Sequence, residues 1–575
     1  MENSSKILKE NEKRKTIEKL PIHVYLKTNS QRFLLETALN GLKYVSDSHR
    51  CVWERMYYLI SFLICFISGL YMAIYFLNKW QHTPVIISLS SKPTAIASLP
   101  FPTVTICNMN QVLRSKVEHF PKDSPDYAFL QKICFKDHNY TQFQNFTPRS
   151  EKDTLPNFIV DNAQSCEDMI VYCKFGEVQE TCTDLFREIL LDEGLCCVFN
   201  QLHPYYLFKA KYRFIRDFTA TNGRTTLPVK WTFENGYGQE YLPKRFYPRK
   251  TPGAGASKGL TVILNADVKN YYCSSTNGAG FKMMLHNPVD FPFIRESGLP
   301  ITIGKQTVVR ITTKINEPSA TLRQVAPKDR QCYYSNEKTL RYFKFYTRQN
   351  CVSECDAELV YSICGCLPYY LPLIYPNATL CFLKDMDCVA RCERLFMVSS
   401  VGECKSNCLA GCHEITHSPD MFSSSFSRHD YYLPDKFFHN RTLEEMNEDL
   451  AMVTFFYKFN NIRGYTKAPY TGLTEFMSQT GGIMSLMVGF SVICIAECFY
   501  FIFVKIFFDL NLPRQPEKLS AEDDGMSATI NQDNALDKNH LRYLIKPRKP
   551  INNRTMVWNI DDMKKYESKA MQIKK

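Results

Sequence analysis

The chain is 575 residues long, carries 22% charged residues and has a formal net charge of +12. This length is too great for one compact domain, so several layers or subdomains are expected. The excess of basic residues is compatible with nucleic-acid binding. However, the apolar segments and the cysteine content described below argue against that class and for a membrane protein.

The first apolar segment, residues 56–77, has 22 residues and no charge. As a helix it spans roughly 33 Å, which is enough to cross a bilayer core of about 30 Å. It begins too far along the chain for a signal peptide and lacks the basic, apolar and small-residue regions of one. We therefore predict a retained transmembrane helix.

The second apolar segment, residues 476–504, has 29 residues and one charge, Glu497. A straight helix of this length would span about 44 Å, so the segment is expected to be tilted, broken or partly outside the lipid. Basic residues flank both segments on the side of the chain termini, at Lys43, Arg50, Arg55, Lys505 and Arg514. This placement predicts cytosolic termini and a long extracellular region between the spans.

The predicted organisation has five parts. They are a cytoplasmic segment (1–52), a first transmembrane helix (53–78), an extracellular disulfide-rich domain (79–475), a second transmembrane helix (476–508) and a cytoplasmic tail (509–575). Basic clusters in the two terminal segments are expected to face anionic lipid of the inner leaflet.

Cysteine is concentrated between the two apolar segments, where 19 of the 23 cysteines lie from Cys107 to Cys412. Such density is typical of disulfides formed in an oxidising compartment, and it outweighs zinc binding by the C-x-x-x-C and C-x-C spacings. We therefore expect disulfides and no metal or other cofactor. The same region contains four glycosylation sequons, at Asn139, Asn145, Asn377 and Asn440.

The region between the spans has mixed periodicity. Residues 260–268 and 301–315 are β-branched and partly alternating, which predicts strands. Residues 351–363 fit a helix with Cys351 and Cys355 on one face, and Thr442 begins a capping-box pattern that predicts a second helix. The predicted fold class is an α+β membrane protein with a β-sheet core and peripheral helices.

Residues 255–259 satisfy the G-x-S-x-G pattern of hydrolases, with Ser257 at the centre. That chemistry needs a strand before the serine and a helix after it, whereas here a strand-like run follows. His413-Glu414 lacks the second histidine of a zinc-protease helix. We predict that the protein is not an enzyme. A two-span ectoenzyme remains an alternative, and hydrolysis lost on Ser257→Ala would identify it.

The second apolar segment contains features that leucine-rich spans lack. Gly481, Ser485 and Gly489 recur every four residues and would form a small-residue stripe on a helix. The stripe is compatible with close helix packing. It is also compatible with a pore, in which Gly489-Phe490-Ser491 leaves helical geometry and Glu497 lies in an aqueous vestibule. One such helix cannot enclose a pore, so a ring of subunits would be required.

At these residues the chain resembles the epithelial sodium channel/degenerin family, most closely its insect pickpocket branch. The likeness extends from about residue 30 to residue 508. Four short motifs and the 332–412 cysteine array occur in the family's order; the motifs are FPTVTICN (101–108), GLCCVFN (194–200), GFKMMLHNP (280–288) and GGIMSLMVGFS (481–491). The resemblance implies a trimeric, sodium-preferring and often amiloride-blocked cation channel with a hand-like ectodomain.

The resemblance also implies roles for individual residues. Gly489, Phe490 and Ser491 match the selectivity filter. Ser478 matches the degenerin position near the extracellular pore mouth, where a bulky side chain should hold the pore open. The neighbouring pore and gate positions are Gln479, Gly482 and Glu497. The family's N-terminal His-Gly gating motif reads Asn40-Gly41 here, which keeps the glycine turn but not the histidine.

Seven disulfides follow from the family pattern. They are Cys107–Cys196, Cys173–Cys182, Cys332–Cys412, Cys351–Cys408, Cys355–Cys404, Cys364–Cys388 and Cys366–Cys381. Five cysteines of the region are then left over, and two further bridges are plausible among them; these five are Cys134, Cys166, Cys197, Cys273 and Cys392.

The resulting prediction is a plasma-membrane channel subunit gated through its ectodomain, in sensory or epithelial ion transport. The expected partners are sodium ions, membrane lipids and related subunits in a homo- or heterotrimer, with no nucleic acid. Besides the ectoenzyme, two alternatives stay open: an ATP-gated trimeric receptor and a non-conducting sensory co-receptor.

Overall fold

The computed structural model describes residues 22–135, 154–209, 227–238, 241–398, 403–426, 442–505 and 507. The chain divides into two compact units, Met1–Phe499 and Tyr500–Lys575. In the second unit the described residues are the π-helical segment Tyr500–Val504 and residues 505 and 507. The sheets, the disulfides and the other helices belong to the first unit.

An eight-stranded mixed sheet forms the centre of this unit, in the order β1-β21-β14-β20-β10-β4-β5, with β19 also paired to β14. Its strands are β1 (Val85–Ala95), β4 (Ile170–Phe175), β5 (Val178–Gln179), β10 (Leu260–Asn265), β14 (Lys305–Pro318), β19 (Glu414–Ser425), β20 (Leu450–Tyr457) and β21 (Asn461–Pro469). Strand β14 runs parallel to β20 and β21 and antiparallel to β19. Its alternation of apolar and polar residues buries Val309, Ile311 and Ile315 on one face, as the sequence predicts.

A five-stranded antiparallel sheet packs against the first, in the order β13-β12-β2-β7-β6. Its strands are β2 (Thr103–Asn108), β6 (Phe186–Leu191), β7 (Gly194–Phe199), β12 (Phe281–His286) and β13 (Leu299–Ile301). Phe199 and Phe281 of this sheet share one hydrophobic core with Val453 and Phe455 of the larger sheet. Both β2 and β7 are buried along their whole length. Strand β7 is a near-continuous apolar run, as a strand buried on both faces requires, whereas β2 alternates threonine with valine and isoleucine.

Four two-stranded sheets complete the β structure of the residues that the structure describes. The remaining strands are β3 (Asn110–Leu113), β8 (Leu227–Pro228), β9 (Phe246–Tyr247), β11 (Tyr271–Ser274), β15 (Cys332–Tyr333), β16 (Cys366–Leu367), β17 (Thr379–Leu380) and β18 (Ala410–Gly411).

Helices surround the sheets and form both apolar segments. They are α1 (Ile22–Glu36), α2 (Leu42–Ser46), α3 (Val52–His82), α4 (Arg114–Val117), α5 (Pro125–Cys134), α6 (Leu155–Asn162), α7 (Cys166–Met169), α8 (Cys182–Leu185), α9 (Pro204–Leu207), α10 (Ile294–Ser297), α11 (Pro327–Arg330), α12 (Arg348–Cys364), α13 (Met386–Val398), α14 (Glu403–Ser406), α15 (Leu443–Asp449), α16 (Leu473–Val488) and α17 (Val492–Phe499). Short 3-10 segments of the described chain lie at Ile96–Ser98, Ala256–Lys258, Val268–Asn270, Ala320–Gln324 and Leu383–Asp385.

Two predicted helices are confirmed, and their ends follow from local chemistry. Helix α12 begins three residues before the predicted start because the Thr347 side chain accepts a hydrogen bond from the Asn350 N–H. It ends at Gly365, whose φ of 71° suits glycine. Helix α15 begins after Thr442, where Thr442 and Glu445 form the predicted capping box.

Among the described residues nine disulfides are present. Seven of them join the pairs implied by the resemblance: Cys107–Cys196, Cys173–Cys182, Cys332–Cys412, Cys351–Cys408, Cys355–Cys404, Cys364–Cys388 and Cys366–Cys381. The other two are Cys134–Cys273 and Cys166–Cys197, so Cys392 is the cysteine of this region without a bridge. The three bridges that link the start of α12 and its preceding loop to residues 404–412 form a ladder, which we call the thumb ladder: Cys332–Cys412, Cys351–Cys408 and Cys355–Cys404.

The G-x-S-x-G segment has no hydrolase geometry. Ser257 lies in the single 3-10 turn Ala256–Lys258, and strand β10 follows it. Gly259 is required for a different reason, because a Cβ there would collide with the backbone carbonyl of Phe455 on the neighbouring strand. The pattern therefore reflects strand packing rather than a nucleophile.

Within the described part of the chain, one helix is long and apolar enough to cross a membrane, Val52–His82. The pair Leu473–Val488 and Val492–Val504 passes the same test only as one bent span, with a 72° bend at the break. The first helix is longer at both ends than the predicted 53–78. Gly69 is its buried residue, and a Cβ there would lie 3.0 Å from the Met484 sulfur, so α3 and α16 pack closely at this glycine.

Candidate functional site at the broken apolar helix

Helix α16 ends at Gly489, and helix α17 begins at Val492. Gly489 has a φ of 72°, in the left-handed region that favours glycine, and its N–H still bonds to the Ser485 carbonyl at 2.9 Å. Phe490 and Ser491 lie between the helices, outside regular structure. The structure thus has its break at the three residues predicted as the selectivity filter.

Asn40 packs against this break from 448 residues away in sequence. The backbone N–H of Asn40 donates a 3.0 Å hydrogen bond to the carbonyl of Val488. A Cβ on Gly489 would lie 2.8 Å from the Asn40 side-chain nitrogen, so the glycine is also needed for close approach. Gly41, with a φ of 88°, begins helix α2. The predicted gating motif and the predicted filter are therefore in direct contact.

Glu497 forms a second contact with the same N-terminal segment. One of its carboxylate oxygens accepts a hydrogen bond of 3.2 Å from the backbone N–H of Ala38. The neighbouring Thr37 is buried. The segment 38–40 therefore bonds to the chain on both sides of the break, at Val488 and at Glu497. No sequence pattern predicted these contacts.

Ser491 and Cys494 define the start of α17. The Ser491 hydroxyl accepts a hydrogen bond of 3.4 Å from the Cys494 N–H, as a helix-capping serine does. The Cys494 thiol lies 3.7 Å from the carbonyl oxygen of Gly489. Cys494 is fully buried, whereas Ser491 is exposed. Cys494 was not singled out from the sequence, because a lone cysteine in an apolar run carries no pattern.

The remaining predicted pore residues lie on the outside of this chain. Ser478, Gln479 and Gly482 are exposed on α16. A Cβ added at Gly481 or Gly482 would have no atom within 4 Å. The small-residue stripe predicted from Gly481, Ser485 and Gly489 therefore does not mediate the packing of α16 on α3, which occurs at Gly69 instead.

The disulfide-rich domain connects to both apolar helices near the contact between Trp80 and Phe476. Trp80 of α3 stacks on Phe476 of α16, with ring centroids 5.0 Å apart. Strands β1 and β21 continue from these helices and pair antiparallel. Val85, the first residue of β1, packs on a small core that contains Cys332 and Cys412. The Cys332–Cys412 bridge of the thumb ladder therefore belongs to the core on which the strand after the first apolar helix packs.

The predicted glycosylation sites fall in two groups. Asn377 lies in an exposed turn before β17. Asn139, Asn145 and Asn440 lie outside the described residues, as do most of the predicted terminal segments.

The sheets, the disulfides and the apolar helices together define a membrane protein with a sheet-rich, disulfide-rich ectodomain. The family model for the amiloride-sensitive sodium channel matches residues 33–501. The chain belongs to this family.

Three relatives illustrate its range. Pickpocket protein 28 of Drosophila melanogaster is 34% identical over 495 residues, covering 85% of this chain and 80% of the relative. The bile acid-sensitive ion channel of Mus musculus is 22% identical, with 85% and 90% covered. The epithelial sodium channel subunit beta of Homo sapiens is 22% identical, with 78% and 77% covered. The family consists of ion channels and not enzymes, so the ectoenzyme alternative falls.

Proposed function

We propose that this chain is a subunit of a trimeric, sodium-preferring and amiloride-sensitive cation channel of the plasma membrane. Both apolar segments span the membrane, both termini are cytoplasmic, and the ectodomain controls opening. Gly489, Phe490 and Ser491 form the selectivity filter, to which each subunit contributes one set.

The observation that carries this proposal is the break at residues 489–491 and its attachment to the N-terminal segment. Irregular backbone at membrane depth is tolerated where it is buried in protein or lines water. At this break Asn40 packs against Gly489, while Ser491 remains exposed. An exposed hydroxyl and backbone carbonyl oxygens at such a break can replace part of the hydration shell of a cation.

The exposed face of α16 supports assembly into a ring. One broken helix cannot surround a pore, and among the described residues Ser478, Gly481 and Gly482 are exposed rather than packed against other parts of the chain. Small residues permit close approach of identical helices around an axis. In this arrangement a bulky residue at 478 prevents the closed packing.

Opening through the ectodomain requires a mechanical connection to the helices. The contact of Val85 with the Cys332–Cys412 core provides one, since α3 and β1 are separated by two residues. A stimulus opens the channel only if it binds or loads the open state more favourably than the closed one. The thumb ladder transmits this bias as a stiff unit.

Voltage clamp of cells that express the wild type or Ser478→Phe tests the proposal. The variant is expected to carry a constitutive inward current that is lost when sodium is replaced by a large organic cation and is reduced by amiloride. Met477→Phe is the matched control, because it places the same ring one residue away on the same helix. It should resemble the wild type.

Surface delivery is measured in parallel by labelling of the ectodomain. If Ser478→Phe reaches the surface and is silent, a related pickpocket subunit is co-expressed. Absence of current in that case as well would contradict the proposal.

A further inference from the structure

A cavity of about 390 Å³ lies where helix α12 begins, beside the loop that follows β12 and the segment that leads into β19. It is distant in sequence from every residue assigned to the pore. Its lining combines polar and aromatic side chains: Phe233, Asn287, Asp290, Tyr346, Thr347, Arg348, Gln349, Val352, Gly411, His413 and Glu414. This volume is within the range of about 300–1,000 Å³ that small-molecule sites occupy.

Two oxygen acceptors in the wall of this cavity have no hydrogen-bond donor among the residues that the structure describes. They are Oδ1 of Asn287 and Oδ1 of Asp290. Asn287 is only 9% exposed, and its amide nitrogen donates to Asp290 Oδ2 and to the Ile415 carbonyl, both at 2.9 Å. These two bonds fix the orientation of the amide, so its oxygen is the atom left without a donor. Buried acceptors of this kind normally have a partner.

The charges of the cavity are arranged with the acids inside. Burial raises the pKa of Asp290. Burial also raises the pKa of Glu414, and the nearby Asp290 raises it further. Arg348 is exposed at the edge, and burial lowers the pKa of His413, so this imidazole is neutral at physiological pH. The interior therefore offers carboxylate and amide oxygens. The Thr347 side chain bonds to Asp290 and Arg348 lies near Glu414, while Oδ1 of Asn287 and Oδ1 of Asp290 have no donor among the described residues.

The walls are held rigidly before any ligand arrives. The side chain of Asn350 accepts a 3.0 Å bond from the Phe291 N–H and donates one of 3.0 Å to the Val289 carbonyl, which ties α12 to the loop after β12. The Tyr346 hydroxyl donates to the Leu409 carbonyl at 2.6 Å. The thumb ladder fastens both sides. A preformed cavity binds a ligand at a smaller cost in ordering.

We propose that this cavity is a binding site for an organic ammonium group, the group shared by free amines and peptide N-termini. Its N–H donors bond to the free oxygens of Asn287 and Asp290, and its charge is compensated by Asp290 and Glu414. The rings of Phe233 and Tyr346 and the side chain of Val352 pack against the carbon part of the ligand. The apolar walls favour an organic cation over a bare metal ion.

The proposal concerns binding and is independent of conduction. Any effect of the ligand on current rests on the proposed function, because the lining residues Val352 and Gly411 are chain neighbours of Cys351 and Cys412 in the thumb ladder. The test therefore measures the rate of chemical modification of a cysteine placed in the cavity of the full-length protein. Its outcome does not depend on whether the chain conducts.

A cysteine placed in the cavity, Gln349→Cys, serves as the probe. The rate at which this thiol is modified is measured by mass spectrometry with two methanethiosulfonates, one bearing an aminoethyl group and the other a sulfonatoethyl group. Ser424→Cys, on the exposed part of β19, is the matched control, and the wild type corrects for native thiols. We expect the ammonium-to-sulfonate rate ratio to be about tenfold higher at position 349 than at position 424.

Two further variants identify the groups responsible. Asp290→Asn and, independently, Glu414→Gln in the Gln349→Cys background should each lower the ratio toward that of the control. Equal ratios at 349 and 424, or a ratio that neither variant changes, would overturn the proposal.

Protection experiments then separate the two sources of ammonium. Phenylethylamine and the tripeptide Phe-Gly-Gly are each tested for slowing the modification of Cys at position 349 in that variant, with N-acetylated Phe-Gly-Gly as the control. Protection by the amine assigns the site to free amines, and protection by the peptide alone assigns it to peptide N-termini. Protection by the acetylated peptide to the same extent, or by none of the three, would contradict an ammonium site.

Discussion

The backbone N–H of Asn40 donates a hydrogen bond of 3.0 Å to the carbonyl oxygen of Val488, the last residue of α16 before the break. This carbonyl belongs to the end of a helix, where the last four carbonyls lack partners within the helix. The N-terminal segment therefore supplies a donor to one carbonyl of the helix terminus that precedes the proposed filter. We propose that this bond is the route by which Asn40 affects conduction.

The first prediction separates the backbone of Asn40 from its side chain. Asn40→Pro removes the N–H and restricts Leu39, so the bond to Val488 is lost. Asn40→Ala retains it. In the Ser478→Phe background, the proline variant should lose most of its sodium current, while the alanine variant keeps it. Current per surface-labelled channel measures the difference. Equal currents in the two variants would show that this bond does not support the filter.

The second prediction concerns the packing of the two apolar helices at Gly69. Gly69→Ala places a Cβ 3.0 Å from the Met484 sulfur, and this flexible side chain can move aside. The larger side chain of Gly69→Leu does not fit between the two helices and should lower the free energy of unfolding by about 1–3 kcal/mol. Thermal unfolding of the detergent-purified protein should therefore show a small change for alanine and a clear loss for leucine. Ile67→Leu, at an exposed position of the same helix, provides the control.

The third prediction concerns the acid stability of the ectodomain. His286 is buried between β2 and the loop after β12, with Nε2 2.8 Å from the Thr105 hydroxyl and Nδ1 3.0 Å from the Asn287 carbonyl. Burial lowers its pKa from 6.5 to about 4, and burial lowers that of His417 to about 3. The unfolded chain therefore takes up these protons at a higher pH than the folded protein does. Stability should fall as the pH decreases from about 6.5 toward 4.

At pH 4 the lowered pKa of His286 decreases the free energy of unfolding by roughly 3 kcal/mol. His286→Gln removes this loss while keeping a polar side chain, so the variant should lose less stability than the wild type over this pH interval. Melting temperatures of purified protein measured from pH 7 to pH 4 give both slopes. Identical slopes would show that His286 is not neutral in the folded state at pH 5.

The sequence was most informative where a local rule decides the structure. Helix α12, the capping box at Thr442 and the break in the second apolar segment follow from spacing, capping chemistry and the conformational freedom of Gly489. The disulfide pairs required the family resemblance, because many connectivities are compatible with 19 cysteines. Cys134–Cys273 and Cys166–Cys197 depend on which strands become neighbours, and spacing does not encode this.

Sequence patterns did not predict the long-range contacts of the backbone. The bond from Asn40 to Val488 and that from Ala38 to Glu497 involve peptide N–H groups, which every residue other than proline has. Likewise, the small-residue stripe on α16 suggested close packing, but the glycine that packs is Gly69 on the other helix. A stripe indicates that close approach is possible and does not indicate the partner.

The most direct test of the proposed function is single-channel recording of the purified Ser478→Phe protein in planar bilayers, with sodium on one side and potassium on the other. The proposed function predicts unitary currents that are blocked by amiloride and whose reversal potential shows a higher permeability to sodium than to potassium. Protein that inserts as a trimer, alone or with a related subunit, and gives no unitary current would contradict it. Currents that do not distinguish sodium from potassium would contradict the assignment of Gly489, Phe490 and Ser491 as a sodium-selective filter.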